Sequence, residues 1–82
     1  MKLPRDLSGQ DLTKALRKLD YQITRQTSSH IRLTTQRGGE HHITIPDHDP
    51  LRIGTLGGIL AAIGRHHGLS RDQLTSRLFG RR

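Results

Sequence analysis

The spacing of the apolar residues changes twice along the chain, and this limits the folds that the chain can adopt. Residues 7–20 come first, and a polar pair near their start, Ser8 and Asp11, resembles a helix capping box. Apolar residues then recur at spacings of three and four, as on one face of a helix: Leu12, Ala15, Leu16 and Leu19. This segment is therefore predicted to be an amphipathic helix.

In the middle of the chain the apolar residues alternate with polar ones. Three stretches show this period of two, at residues 21–24, 30–34 and 42–45. Short polar segments join them, residues 27–29 and the glycine-containing residues 36–39. Strands with one buried and one solvated face have this pattern, which is typical of antiparallel sheets. The sequence predicts a three-stranded antiparallel meander of half-buried strands.

Helical spacing returns after Pro46. A second helix is predicted to begin near Gly54, with Thr55 as a plain N-cap, and to end at Gly68. Its apolar face carries Leu56, Ile59, Leu60 and Ile63. A short last helix begins at a second capping box, formed by Ser70 and Gln73. The predicted fold is a single α+β domain over residues 1–82, with helices on one face of the sheet.

Composition narrows the classes of function. The chain has 82 residues and a formal net charge of +7, a balance expected of a small domain that meets phosphates or an acidic protein. Tyr21 and Phe79 are its only aromatic residues, which argues against RNA binders that stack bases on several exposed rings. The chain has no cysteine, so disulfides, thiolate zinc sites and a cysteine nucleophile are excluded. No apolar run predicts a membrane span or a signal peptide, and a cytoplasmic location is expected.

The exposed face of the predicted sheet carries the residues with useful chemistry. Alternation places on it Gln22, Thr24, His30, Arg32, Thr34, His42 and Thr44. Histidine exchanges protons near neutral pH, and arginine binds phosphate. Such a face could cleave RNA without a metal, because the ribose 2′-hydroxyl is an internal nucleophile and the protein moves only protons and stabilises charge.

Phosphate-binding candidates surround His30. Arg32 lies two residues along the same strand and shares its face. Ser29 is either a turn residue or a phosphate ligand. Arg25 and Arg37 are weaker candidates of the same kind as Arg32.

The paired histidines do not predict a metal site. His41 and His42 are neighbours on a strand and point to opposite faces, and the adjacent pair at residues 66–67 is poorly spaced on a helix. We therefore predict no metal and no cofactor. His42 and His48 are kept as candidate helpers of a catalytic histidine.

Four segments resemble the HicA (YcfA-like) toxin family. They are residues 3–9 (LPRDLSG), 25–33 (RQTSSHIRL), 43–46 (ITIP) and 54–60 (GTLGGIL), which cover the chain from its start to about Leu60. Each motif alone is weak, but their order and spacing are fairly specific. The last helix matches less closely.

The resemblance implies a fold similar to a double-stranded-RNA-binding domain and the activity of an mRNA interferase, an endoribonuclease. Such proteins are toxins of type II toxin–antitoxin systems and are inhibited by a HicB antitoxin that covers the active site. The family's catalytic histidine corresponds to His30, preceded here by Ser28 and Ser29 where the family has a Gly-Ser pair.

Two other functions are compatible with these residues. The first is a non-catalytic module of the same fold that recognises duplex RNA by its shape and phosphates. The second is an interaction protein whose basic surface binds an acidic partner.

Overall fold

A computed structural model describes residues 6–80 of the protein; residues 1–5, with the start of the LPRDLSG motif, and residues 81–82 lie outside the described part. The three strands form one antiparallel sheet in the order β1-β2-β3, so the predicted α+β arrangement is confirmed. The elements are α1 (Gly9–Leu16), which continues into a 3-10 turn (Arg17–Leu19), β1 (Gln22–Gln26), β2 (His30–Thr35), β3 (His41–Pro46), α2 (Ile53–His67) and α3 (Arg71–Phe79).

The predicted capping boxes fix the starts of two helices. Before α1, the Ser8 hydroxyl accepts the Asp11 N–H at 3.0 Å, and the Asp11 carboxylate accepts the Ser8 N–H at 3.2 Å. Before α3, the equivalent distances between Ser70 and Gln73 are 3.1 and 2.9 Å. These reciprocal bonds satisfy N–H groups that have no partner within the helix.

The start of α2 differs from the prediction. The helix begins at Ile53 with Arg52 as its N-cap, no side chain caps it, and Thr55 lies inside its first turn. The physical reason is the anchoring of Leu51, which is buried in the core and donates its N–H to the Leu7 carbonyl at 2.7 Å. The chain therefore turns into the helix directly after Leu51, earlier than a capping side chain would indicate.

The core lies between the helices and one face of the sheet. β2 and β3 contribute Ile31, Leu33, Ile43 and Ile45, and the helices contribute Leu12, Leu16, Leu56, Leu60, Ile63, Leu74 and Leu78. Both α1 and α2 contact this sheet, and its opposite face stays open to solvent. Within residues 6–80, no helix has the length and apolar character needed to cross a membrane.

Strand β1 is not half-buried as predicted. All five of its residues are exposed, and Ile23 is 43% exposed although it pairs with the buried Leu33. The reason is helix coverage, because α1 and α2 pack against β2 and β3 and leave β1 outside the main helix contacts. Within residues 21–26, the predicted first strand and the end of β1, only Tyr21 is buried.

A bulge in β1 changes which side chains reach the open face. The pairing passes from Ile23–Leu33 to Arg25–Arg32, so Thr24 is an extra residue in the ladder. In a regular ladder Arg25 would pair with Ile31 and share its buried face. The bulge instead sets Arg25 directly opposite Arg32, on the open face.

Candidate nucleic-acid interface

The open face of the sheet carries the polar side chains that alternation predicted. On β2, His30 and Arg32 are exposed, and on β3 Thr44 pairs with Arg32 and His42 pairs with Thr34. A shallow cleft of about 330 Å³ crosses this face. It is lined by Thr24, Arg25, Arg32, Thr34, Gln36, Glu40 and His42.

His30 is held at the start of β2 by the turn before it. Its N–H donates to the Thr27 hydroxyl at 3.1 Å, and its carbonyl accepts the Thr27 N–H at 2.9 Å. The Asp47 N–H donates to the Ser29 carbonyl at 2.9 Å, which ties this turn to the end of β3. The backbone of His30 is therefore fixed on both sides.

The imidazole of His30 remains accessible. Its Nδ1 lies 2.9 Å from the Ser29 hydroxyl, and its Nε2 has no partner among residues 6–80. Ser29 therefore orients the ring. The free nitrogen can exchange a proton with a bound molecule.

Arg25 and Arg32 form a pair of like charges directly opposite each other. Neither guanidinium has an ion pair or a hydrogen bond with any residue of the described chain. Like charges at directly opposite positions destabilise a sheet, so this pair does not serve the fold. Guanidinium groups present forks of N–H donors that fit a phosphate, and a bound phosphate would neutralise this pair.

A row of hydrogen bonds runs beside the arginines. The Glu40 carboxylate lies 2.7 Å from Nε2 of His42, Nδ1 of His42 lies 2.7 Å from the Thr34 hydroxyl, and that hydroxyl lies 3.1 Å from the Thr24 hydroxyl. The bond from His42 lowers the pKa of Glu40 below its usual 4.5, with help from Gln36 and the charge of Arg32. An ionised carboxylate only accepts hydrogen bonds, so Nε2 of His42 carries a proton, and in the neutral imidazole Nδ1 accepts from the Thr34 hydroxyl.

Glu40 is absent from the sequence predictions. It lies between the predicted turn at residues 36–39 and the predicted strand at residues 42–45, so alternation did not place it on the open face. The available signal was its position two residues before His42, because residues i and i+2 of an extended chain share a face.

The structure does not bring Arg37 together with His30. The guanidinium of Arg37 lies 3.5 Å from the Asp20 carboxylate and 3.4 Å from the Lys18 carbonyl, beyond the far end of β2. Arg37 follows β2 in the turn, and the six residues of that strand span roughly 20 Å. An RNA contact at Arg37 stays a prediction, and it would lie several nucleotides from His30.

Three histidines gather around Tyr21 on the other side of β3. The Tyr21 hydroxyl lies 2.7 Å from Nδ1 of His41 and 3.2 Å from Nε2 of His67. His66 stacks on His41 with ring centroids 4.3 Å apart, and its Nε2 lies 3.1 and 3.0 Å from the carbonyls of Arg37 and Gly39. His41 and His42 thus point to opposite sides, as predicted, and no group of ligand residues within residues 6–80 is arranged to hold a metal.

This cluster should make the fold sensitive to acid. Burial, followed by the neighbouring histidines, lowers the pKa of His41 and of His67 below 6.5, and burial raises the pKa of Tyr21 to about 12. In the unfolded chain the same histidines titrate near 6.5, so below that pH the unfolded state binds more protons. The free energy of unfolding should therefore fall as the pH drops from about 7 toward the lowered values.

Urea denaturation between pH 7.5 and pH 5.5 measures this effect. The stability that the lowered pKa of Glu40 contributes is lost at more acidic pH, near and below its usual pKa of 4.5. The range from pH 7.5 to pH 5.5 therefore separates the effect of the histidines from that of Glu40. The double variant His41→Gln and His67→Gln is the control and should show a flatter dependence. A parent protein whose stability does not change over this range would contradict the role given to the cluster.

Comparison with known families gives a match over most of the chain. A family model described as the HicA toxin of bacterial toxin–antitoxin systems matches residues 9–72, which include all three strands and most of the helical residues. No curated protein and no solved structure gives a significant match. The matched segment is well over half of the chain and contains both His30 and the arginine pair. The chain therefore belongs to the HicA toxin family and is a toxin of a bacterial toxin–antitoxin system.

Proposed function

We propose that the protein is an mRNA interferase, an endoribonuclease that binds RNA across the open face of the sheet in the cytoplasm. The observation that carries this proposal is an exposed, oriented His30 on the same face as two arginines that form no salt bridge with residues 6–80. Arg25 and Arg32 hold phosphates, and Ser29 orients the imidazole. His30 acts as general acid or general base.

The proposed reaction needs no metal ion. The ribose 2′-hydroxyl attacks the neighbouring phosphorus, so the nucleophile comes from the substrate itself. The protein then contributes proton transfer and positive charge, which are the two contributions that imidazole and guanidinium groups make. Cleavage should persist in excess EDTA.

The antitoxin partner is proposed to be HicB-like and to cover this same face. Membership of the family implies an antitoxin. The site is a shallow cleft on an open sheet, so a partner that lies on the sheet excludes RNA without entering a deep pocket. An acidic surface on that partner would satisfy the unpaired arginines.

Induced expression in a bacterial host tests the proposal. The parent, His30→Ala and the control Thr44→Ala, which changes another exposed residue of the same face, are compared at matched protein levels. The parent and Thr44→Ala should arrest growth and deplete full-length mRNA, whereas His30→Ala should do neither. Arrest by all three variants with intact mRNA would reject the ribonuclease and favour the RNA-binding module.

A further inference from the structure

Cleavage by this route needs two proton transfers at one phosphate. The 2′-hydroxyl must lose a proton as it attacks, and the leaving 5′-oxygen must gain one. A single imidazole such as His30 does not do both at the same moment on opposite sides of the phosphorus. A second titratable group that faces the phosphate held by the arginines would supply the other transfer.

Arg32 has a histidine on each side. His30 lies two residues earlier on β2, about 7 Å away along the strand. His42 lies diagonally across on β3, because Arg32 pairs with Thr44, and such diagonal neighbours are about 7–8 Å apart. A phosphate bound by Arg32 therefore has His30 toward one end of β2 and His42 toward the other.

We propose that His42 is the second proton-transfer residue of this site, its general base, and that Glu40 is its positioning residue. This inference rests on the proposed ribonuclease function. The ionised Glu40 carboxylate accepts the proton of Nε2 of His42 at 2.7 Å, so the neutral imidazole has its lone pair on Nδ1. The same carboxylate stabilises the imidazolium that forms when Nδ1 takes up a proton.

Thr34 occupies Nδ1 of His42 until RNA binds. Its hydroxyl has a second partner, Thr24 at 3.1 Å, to which it can turn its hydrogen. The 2′-hydroxyl of a bound ribose can then take its place at Nδ1. The charged groups that face the His42 ring are Glu40, Arg32 and Arg25. His41, the preceding residue in the chain, faces the other side of β3.

The reaction balances with these two histidines. His42 takes the proton of the 2′-hydroxyl as the bond from that oxygen to phosphorus forms. The bond from phosphorus to the 5′-oxygen breaks, and a protonated His30 donates its proton to that oxygen. The products are a 2′,3′-cyclic phosphate and a 5′-hydroxyl, and water restores the two protonation states.

Single-turnover cleavage of an end-labelled RNA by the full chain tests this inference. His42→Gln should lower the rate by about 10²- to 10⁴-fold, the usual contribution of a general base. Its affinity for a 2′-O-methyl RNA, which lacks the nucleophile, should stay within about twofold of the parent's affinity, since the phosphate contacts of the arginines remain. Thr44→Val, on the same face, should change neither quantity.

Glu40→Gln separates positioning from structure. It should lower the rate less than His42→Gln and leave the affinity for 2′-O-methyl RNA unchanged, and Glu40→Asp, which keeps a carboxylate, should retain more of the rate than Glu40→Gln. Added to His42→Gln, Glu40→Gln should cause no further loss, because a positioning residue acts only through the residue that it positions. A loss of the same size in both backgrounds would overturn the role given to Glu40.

The remaining outcomes distinguish this inference from the proposed function. If His30→Gln is inactive but His42→Gln cleaves at the parent's rate, His42 is not the general base, whereas the proposed ribonuclease function is supported. If His42→Gln loses affinity and rate in equal measure, His42 binds RNA and is not the base. If the parent leaves every RNA intact, the ribonuclease and the inference both fail.

Discussion

Replacing His30 with glutamine should lower the single-turnover rate of RNA cleavage by about 10²- to 10⁴-fold. Glutamine keeps a hydrogen-bonding group near the Ser29 hydroxyl, which lies 2.9 Å from Nδ1 of His30, but it cannot exchange a proton. The loss should appear in the chemical step rather than in binding. The measurement is a rapid-quench time course at saturating enzyme, with affinity for a 2′-O-methyl RNA determined in parallel.

Ser29→Ala is the matched comparison for His30→Gln. It removes the hydrogen bond that orients the imidazole but leaves the proton-transfer group in place. We expect a smaller loss of rate than for His30→Gln and no change in the free energy of unfolding, because the Ser29 hydroxyl is exposed. Cleavage by His30→Gln at the parent's rate would remove His30 from the reaction.

The parts of the fold that depend on local sequence were predictable. A capping box is formed by two residues that are three positions apart, so it can be found in the sequence alone. The capping boxes that begin at Ser8 and Ser70 mark the starts of α1 and α3. Alternation in β2 and β3 likewise identifies the buried and exposed faces, because these strands lie under the helices. The same alternation fails in β1, since the helices pack mainly against β2 and β3 and leave β1 exposed on both faces.

The site itself depends on pairings that a single sequence does not contain. The place of Arg25 opposite Arg32 results from a bulge at Thr24, and a bulge shifts the face of every residue after it. The bond between Glu40 and His42 joins residues only two apart, but it depends on where the end of the turn before β3 places the Glu40 side chain. The cluster around Tyr21 joins residues of β3 and α2 that are remote in sequence. Neither the alternation in β3 nor the helical spacing in α2 predicts this contact.

The arginine pair yields a second prediction with a large effect. The double variant Arg25→Gln and Arg32→Gln should bind a single-stranded 2′-O-methyl RNA roughly 10- to 50-fold more weakly near 0.1 M salt, because two phosphate contacts are lost. The slope of log affinity against log salt should decrease by about 1.4, or about 0.7 for each contact to a single strand. Fluorescence anisotropy over a range of salt concentrations measures both quantities.

The same double variant should be more stable than the parent protein. Its two glutamines remove a directly opposed pair of like charges, so the free energy of unfolding should rise by about 0.2–1 kcal/mol. Urea denaturation without RNA measures this change. A gain in stability together with a loss of binding distinguishes residues placed for a ligand from residues placed for the fold.

The control for this prediction removes the same charge elsewhere. Arg65→Gln and Arg77→Gln change two exposed arginines, one on α2 and one on α3, and lower the net charge equally. This variant should bind RNA almost as tightly as the parent and keep most of its salt slope, because neither arginine lies on the open face of the sheet. Equal weakening by both double variants would mean that overall charge, and not the paired guanidinium groups on the sheet, holds the RNA.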